Sequence, residues 1–198
     1  MNIGILGGSF DPPHFGHTII AKRLLKLLDF DEIWLMPCFT HPFNKNISPS
    51  SQRFEMTRFL ESKKIKISDF ELRKKSISYS IDTLESLKAG FPKHRFSWII
   101  GTDQVKDFRK WKKWQEIINK FRVIVVPRTG FEKARLELNK ILKEVSFPNH
   151  ITPVDKDKFK PVYISSTLIR KRVKEKKPIK NLVPKKVEKY IIEHELYS

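Results

Sequence analysis

The sequence predicts a doubly wound α/β fold, a parallel sheet with helices on both faces. Short apolar, β-branched runs alternate with helical patterns along most of the 198 residues. The strand-like runs are apolar at nearly every position, as strands covered on both sides must be. The unusual polar strings fall just after those runs, where open α/β sheets bind their ligands. Together these features predict a sheet of Rossmann-like type.

In chain order, Ile3-Gly4-Ile5-Leu6 reads as a buried strand and is followed by a Gly/Pro-rich turn. From Thr18 to Leu28, Ile20, Leu24, Leu27 and Leu28 recur at helical spacing. Glu32 to Met36 is a second strand, stopped by Pro37, and Gln52 to Leu60 a helix with Phe54, Phe59 and Leu60 apolar. Lys64 to Ser68 is the next strand. Asp82 to Lys88 is a helix, with Gly90 suited to its C-cap. Phe96 to Ile100 is a strand, Gln104 to Asn119 a helix, Arg122 to Val126 a strand and Glu132 to Leu142 a helix. Pro161-Val162-Tyr163-Ile164 reads as a last short strand. Helices follow from Ser166 and from Pro184, a proline fitted to a first helical turn.

A chain of this length fits one domain, 1–198, whose helical portion begins at about residue 165. With 39% hydrophobic residues, among them 15 Phe and 4 Trp, it can bury a sizeable core, which excludes a disordered chain. No apolar run reaches the roughly 18 residues of a membrane span, and Met1-Asn2-Ile3-Gly4 has no secretory pattern. One cysteine, Cys38, cannot form an internal disulfide and suits a reducing compartment. The expectation is a cytoplasmic protein without a membrane partner, and homo-oligomer formation stays open. Forty Lys and Arg against 22 Asp and Glu give +18, so the partners expected are anions. Arg170 to Lys189 carries ten basic residues against Glu175 and Glu188. A solvated lysine-rich face explains that stretch more simply than a nucleic-acid site, and nothing resembles a dedicated nucleic-acid module.

Four strings carry chemistry. Gly7-Gly8-Ser9-Phe10-Asp11-Pro12-Pro13-His14-Phe15-Gly16-His17 follows the first strand. Its glycines let main-chain N–H groups approach a phosphate, and the next helix presents its positive end. His14 and His17, three apart, can face one anion and stabilise charge developing on it. A structural turn with surface histidines, or half a metal site, remains the competing reading. The loop after the second strand carries Lys45, a point charge for a phosphate or an inert surface lysine. Gly101-Thr102-Asp103 follows the Phe96 strand, with Trp111 and Trp114 beyond it. Asp103 suits ribose hydroxyls or a metal-bound nucleotide, while a tryptophan offers either a stacking face or simple helix packing. Ser165-Ser166-Thr167-Leu168-Ile169-Arg170 offers an N-cap, hydroxyls and a bidentate cation, or an ordinary cap with a solvated arginine. All lie at one sheet edge, and together they make a triphosphate cradle. No P-loop string and no Ser/His/Asp or Cys/His nucleophile pattern accompanies them.

The His14–His17 and Ile164–Arg170 strings resemble the His-x-Gly-His and Ile-Ser-Ser-Thr-x-x-Arg elements of the nucleotidylyltransferase superfamily. The likeness is closest to the bacterial nicotinate-nucleotide adenylyltransferases. It extends to Gly7–His14, to Glu71-Leu72 with Ser78-Tyr79-Ser80-Ile81-Asp82-Thr83-Leu84, to Ile100–Asp103 with Trp111, and to Val187–Tyr197. The resemblance implies adenylyl transfer from ATP to nicotinate mononucleotide, giving deamido-NAD and pyrophosphate, a step of NAD biosynthesis. Mg²⁺ would accompany ATP, held mainly by its phosphates, with no metal site of protein side chains and no covalent intermediate. It implies catalytic roles for His14, His17 and Arg170. Gly7, Gly8, Ser9, Phe10, Lys45, Gly101, Asp103, Ser165, Ser166 and Thr167 would meet ATP and its phosphates. Tyr79, Ser80, Asp82, Thr83, Trp111, Lys112 and Arg128 would meet the pyridine nucleotide. Ser80 stands where the family usually has Thr, Lys112 where it has Tyr, and Thr129 where it has Pro. Lys112 is expected to pair with the nicotinate carboxylate. A nicotinamide-mononucleotide or dual-specificity enzyme, and a basic nucleic-acid-binding protein, are the alternatives.

Overall fold

The computed structural model describes residues 1–43, 46–128, 131–155 and 157–198, apart from the side chains of residues 131–133 and 149. Six parallel strands form one sheet: β1 (Asn2–Gly8), β2 (Glu32–Pro37), β3 (Ile65–Ile67), β4 (Arg95–Gly101), β5 (Arg122–Val126) and β6 (Ile151–Pro153). Their order is β3-β2-β1-β4-β5-β6, so the chain reverses direction of growth between β1 and β4. That switch point is where the carboxyl ends of two strands leave a crevice.

Alternation along the strands sends side chains to two cores. Leu6, Ile99, Ile124 and Val126 face one cluster, with α1 (Phe15–Leu27), α2 (Ser50–Arg58), α8 (Ser166–Lys174) and α9 (Lys185–Glu193) packed over it. Ile3, Ile5, Trp98, Ile100, Val123 and Val125 face the other, under α4 (Ser80–Gly90), α5 (Thr102–Val105), α6 (Trp114–Lys120) and α7 (Phe131–Lys143). A short α3 (Phe70–Arg73) precedes α4. Both faces are covered, as expected for the doubly wound class. No helix among the described residues is long and apolar enough to cross a membrane.

Three sequence expectations fail locally. Residues 161–164 do not join the sheet; Ile151–Pro153 takes the place beside β5. Pro161 lacks an N–H, and neighbouring carbonyls are spent on side chains, Arg23 donating to Lys160 O and Arg128 Nη2 to Ile164 O at 3.4 Å. Residues 104–119 are not one helix. They break into α5, a 3₁₀ turn at Phe108–Lys110 and α6, with Lys113 in the left-handed region at φ 50°. No glycine or proline announces that break. Gly90 ends up inside α4, and Phe91 caps it.

Arg53 of α2 is fully buried. Its Nε donates to Ser48 O at 2.8 Å, Nη1 to Ser9 O at 2.7 Å, and Nη2 to Cys38 O and Phe39 O at 2.7 and 3.0 Å. One planar fork thus joins the loops after β1 and β2. Arg53→Met should lower the unfolding free energy by about 3–5 kcal/mol, because four carbonyls lose a charged donor. Arg53→Lys should recover only part, since an ammonium cannot span the same fork. Urea midpoints check both, and a loss in Arg53→Met below about 1 kcal/mol would contradict this account.

Candidate active site

The site grows out of the carboxyl ends of β1 and β4. β1 runs on through Gly7 and Gly8. A Cβ at Gly7 would lie 2.5 Å from the Trp98 ring, so this strand end can approach β4 only without a side chain. Phe10 then turns at φ 52°, is buried, and sets its ring 4.5 Å from that of His17. His14 caps α1, and its ring lies 3.8 Å from that of His17. The His14 main-chain N–H donates to His17 Nδ1 at 3.1 Å, which leaves Nε2 as the protonated nitrogen of a neutral His17. A Cβ at Gly16 would lie 2.7 Å from the His14 ring and 3.2 Å from Ile164 O, so the residue just before His17 must be glycine-sized. His14 Nδ1 is buried without a partner among the described residues.

Helix α8 docks onto the same loop. Ser165 caps it, its Oγ accepting from Leu168 N at 3.2 Å, while the Ser166 hydroxyl donates to Pro12 O at 2.8 Å. Arg170 Nη1 donates to Asp11 O at 2.5 Å. Thr167 is exposed beside them. Arg128 N–H donates to Thr102 Oγ1 at 2.8 Å, and its guanidinium lies 3.7 Å from Asp103 Oδ2. Of the residues expected to form an anion cradle, the structure brings His14, His17, Ser165, Ser166, Arg170 and the N-termini of α1 and α8 together around the loop after β1, with Arg128 beside the histidines.

On the other side of Gly7 and Gly8 lies a cleft of about 950 Å³. Tyr79, Ser80, Asp103, Trp111 and Lys112 line it, with Trp98 and Cys38 deeper. The break before α6 is what presents Trp111, in extended backbone, rather than burying it as a helical residue. Trp111 leans on Phe108, ring centroids 5.1 Å apart. Lys112 pairs with the Asp82 carboxylate at 2.8 Å and lies 4.8 Å from the Tyr79 ring centre. Thr83 stands behind the cleft, its hydroxyl donating at 2.7 Å to buried Glu71. Gly101 donates its N–H to Gln104 Oε1 at 3.0 Å. Ser9 contributes its carbonyl to Arg53. Arg128, expected with the pyridine nucleotide, sits beside the histidines and not among the described residues lining the cleft. Lys45 and residues 129–130 lie outside the described residues.

Sequence reasoning gave no role to Arg53, Glu71, Gln104 or Tyr197, although Glu71 and Tyr197 fall in segments that carry the family resemblance. All are polar types usually found on surfaces, and nothing in their neighbours marks them as buried or bonded. Burial raises the Glu71 carboxyl and the Cys38 thiol above their ordinary values. Removal from water, and then the nearby cations, hold both imidazoles neutral: His14 falls well below its usual value and His17 to about 3. Because these folded values lie below the unfolded ones, their stabilisation is complete above about pH 6.5 and is lost as pH falls. Between about pH 6 and 4.5 the wild type should lose stability about 1.4 kcal/mol per pH unit more steeply than His17→Asn. Urea titrations at several pH values check this, and parallel curves would contradict it.

Residues 5–172 match the cytidylyltransferase-like family. The chain is 36% identical over 200 residues to the nicotinate-nucleotide adenylyltransferase of Bacillus subtilis, covering 99% of this chain and 98% of that one. It superposes on Plasmodium falciparum nicotinic acid mononucleotide adenylyltransferase complexed with NaAD, with a TM-score of 0.79 and 24% identity over 99% of this chain and 97% of that one. The same parasite protein complexed with APC gives a TM-score of 0.75 and 22% identity, over 99% and 96%. The structural likeness carries the fold, and the full-length sequence identity carries the kinship. This chain belongs to the nicotinate-nucleotide adenylyltransferases of the cytidylyltransferase-like family.

Proposed function

We propose that this protein joins ATP and nicotinate mononucleotide into deamido-NAD, releasing pyrophosphate. The observation that carries the reading is a two-part site at one switch point. A cationic cradle around two neutral histidines adjoins an aromatic cleft, and Gly7 and Gly8 form the boundary between them. A 5′-phosphate oxygen of the mononucleotide attacks the α-phosphorus of ATP in line. The new P–O bond forms as the bond from the α-phosphorus to the bridging oxygen breaks, and pyrophosphate carries away the electron pair. The chain then has no covalent step to perform, only positioning and charge stabilisation.

In this reading the His17 Nε2–H and the His14 imidazole donate to α- and β-phosphoryl oxygens. Arg170, Ser166, Thr167 and Arg128 grip the triphosphate, with Lys45 as a further cation. Mg²⁺ enters as part of the ATP substrate, its oxygens coming from the phosphates. No group of three or more His, Cys, Asp or Glu side chains suited to a metal ion occurs among the described residues. Asp103 meets ribose and Trp111 stacks on the pyridine. The free N–H groups at the start of α4, next to Tyr79 and Ser80, face the pyridine carboxylate. The +18 charge speeds capture of two anionic substrates in a salt-dependent way.

Pyrophosphate release with ATP and Mg²⁺, offering nicotinate and nicotinamide mononucleotide side by side, tests the reading. The acid should be strongly preferred, and His17→Ala should lower kcat by about 10²–10³. Comparable rates with acid and amide would replace the reading with dual specificity. Lys112, already paired with Asp82, is proposed to share its charge with the nicotinate carboxylate. Lys112→Tyr should then cut the acid-over-amide kcat/KM ratio by about tenfold, and an unchanged ratio would remove Lys112 from recognition.

A further inference from the structure

Asp11 places a carboxylate, 3% exposed, inside the loop that carries the anion cradle. A negative charge there works against phosphate binding unless something holds it. Its Oδ1 accepts a 2.6 Å hydrogen bond from the Tyr197 hydroxyl, and its Oδ2 a 3.3 Å bond from the Ser48 N–H. Arg170 Nη1 stays 3.9 Å from Oδ2 while donating to the Asp11 carbonyl. The carboxylate is thus satisfied mainly by neutral donors, and the guanidinium keeps donors in reserve. The segment that delivers Tyr197 is held in an unusual shape. Glu195 and Tyr197 both have left-handed backbone, at φ 50° and 66°, and Leu196 and Tyr197 pack against the core. Such backbone persists in non-glycine residues only where the surroundings fix it.

We propose that Tyr197 is a positioning residue for the phosphate cradle: its hydroxyl occupies Asp11 and so keeps Arg170 available to the triphosphate of ATP. This rests on the adenylyl-transfer reading of the site. Without the hydroxyl, the Asp11 carboxylate has Arg170 as its nearest strong donor, and closing 3.9 Å to a direct pair withdraws the cation from the substrate. A merely structural tyrosine predicts a general loss of stability. The positioning role predicts weaker ATP binding, relieved when Asp11 loses its charge.

Titration calorimetry of ATP with Mg²⁺ reads this without the reaction. Tyr197→Phe should raise the Kd for ATP about five- to twentyfold, with the thermal midpoint and KM for nicotinate mononucleotide little changed. Adding Asp11→Asn should return the Kd to within about twofold of Asp11→Asn alone, the coupling expected of groups in one network. An unchanged Kd in Tyr197→Phe, or a rise that Asp11→Asn does not relieve, overturns the proposal. Failure of the wild type to bind ATP overturns both readings. ATP binding without pyrophosphate release overturns the function alone, and the Kd ratios still decide the role of Tyr197.

Discussion

A buried guanidinium bonded to main-chain carbonyls organises the catalytic edge of this sheet. Taking Arg53 out of water costs several kcal/mol, and only charge-assisted bonds to well-placed acceptors offset that. Its four acceptors, Ser9 O, Cys38 O, Phe39 O and Ser48 O, belong to the loops that leave β1 and β2. The loop after β1 therefore cannot shift without breaking bonds to the loop after β2. The turn that brings Phe10 under His17 inherits that rigidity. Bonds from Ser166 and Arg170 to Pro12 O and Asp11 O then seat α8 on the same loop. Elements distant in sequence thus meet on one platform that a single side chain ties together.

The electrostatics follow from this burial. Removal of both imidazoles from water, with Arg128 close by, makes a positive charge on either expensive, so the histidines stay neutral. A neutral imidazole still donates one hydrogen bond, and for His17 the acceptor role of Nδ1 fixes that donor at Nε2. In the proposed adenylyl transfer, anion affinity would thus be carried by the arginines and helix ends, while the histidines supply direction. The Asp11 carboxylate limits the positive charge further, and its neutral partners keep it from cancelling the cation nearest to it.

The sequence discloses what repeats and hides what is singular. β1, β2, β4 and β5 are visible because each is a run of β-branched and aromatic residues between turn formers. The glycine- and serine-rich strings after them are visible because few other residues allow main chain to approach a phosphate. Ile151–Pro153 is invisible because three residues ending in proline carry almost no strand pattern, whereas Pro161–Ile164 looks better and is diverted by Arg23 and Arg128. The break at Lys113 is invisible because a lysine in left-handed backbone has no sequence mark. Arg53 and Tyr197 receive no role from the sequence because only the folded chain surrounds one with carbonyls and sets the other against a carboxylate.

In the proposed reading, the geometry of β1 also dictates how two nucleotides meet. The Trp98 ring lies where a Gly7 side chain would go, so the carboxyl end of β1 is bare backbone between the histidines and the cleft. Any side chain at Gly7 would have to push Trp98 out of the cleft floor, which would alter the pyridine side by a change on the phosphate side. Gly16 does the same for the other boundary, since a Cβ there would press on His14 and on Ile164 O just ahead of the Ser165 cap. The two glycines thus keep bare backbone on either side of the proposed phosphate site. Two mononucleotide units proposed to lie across that gap would find room through the backbone, while the side chains around them hold and orient the ligands.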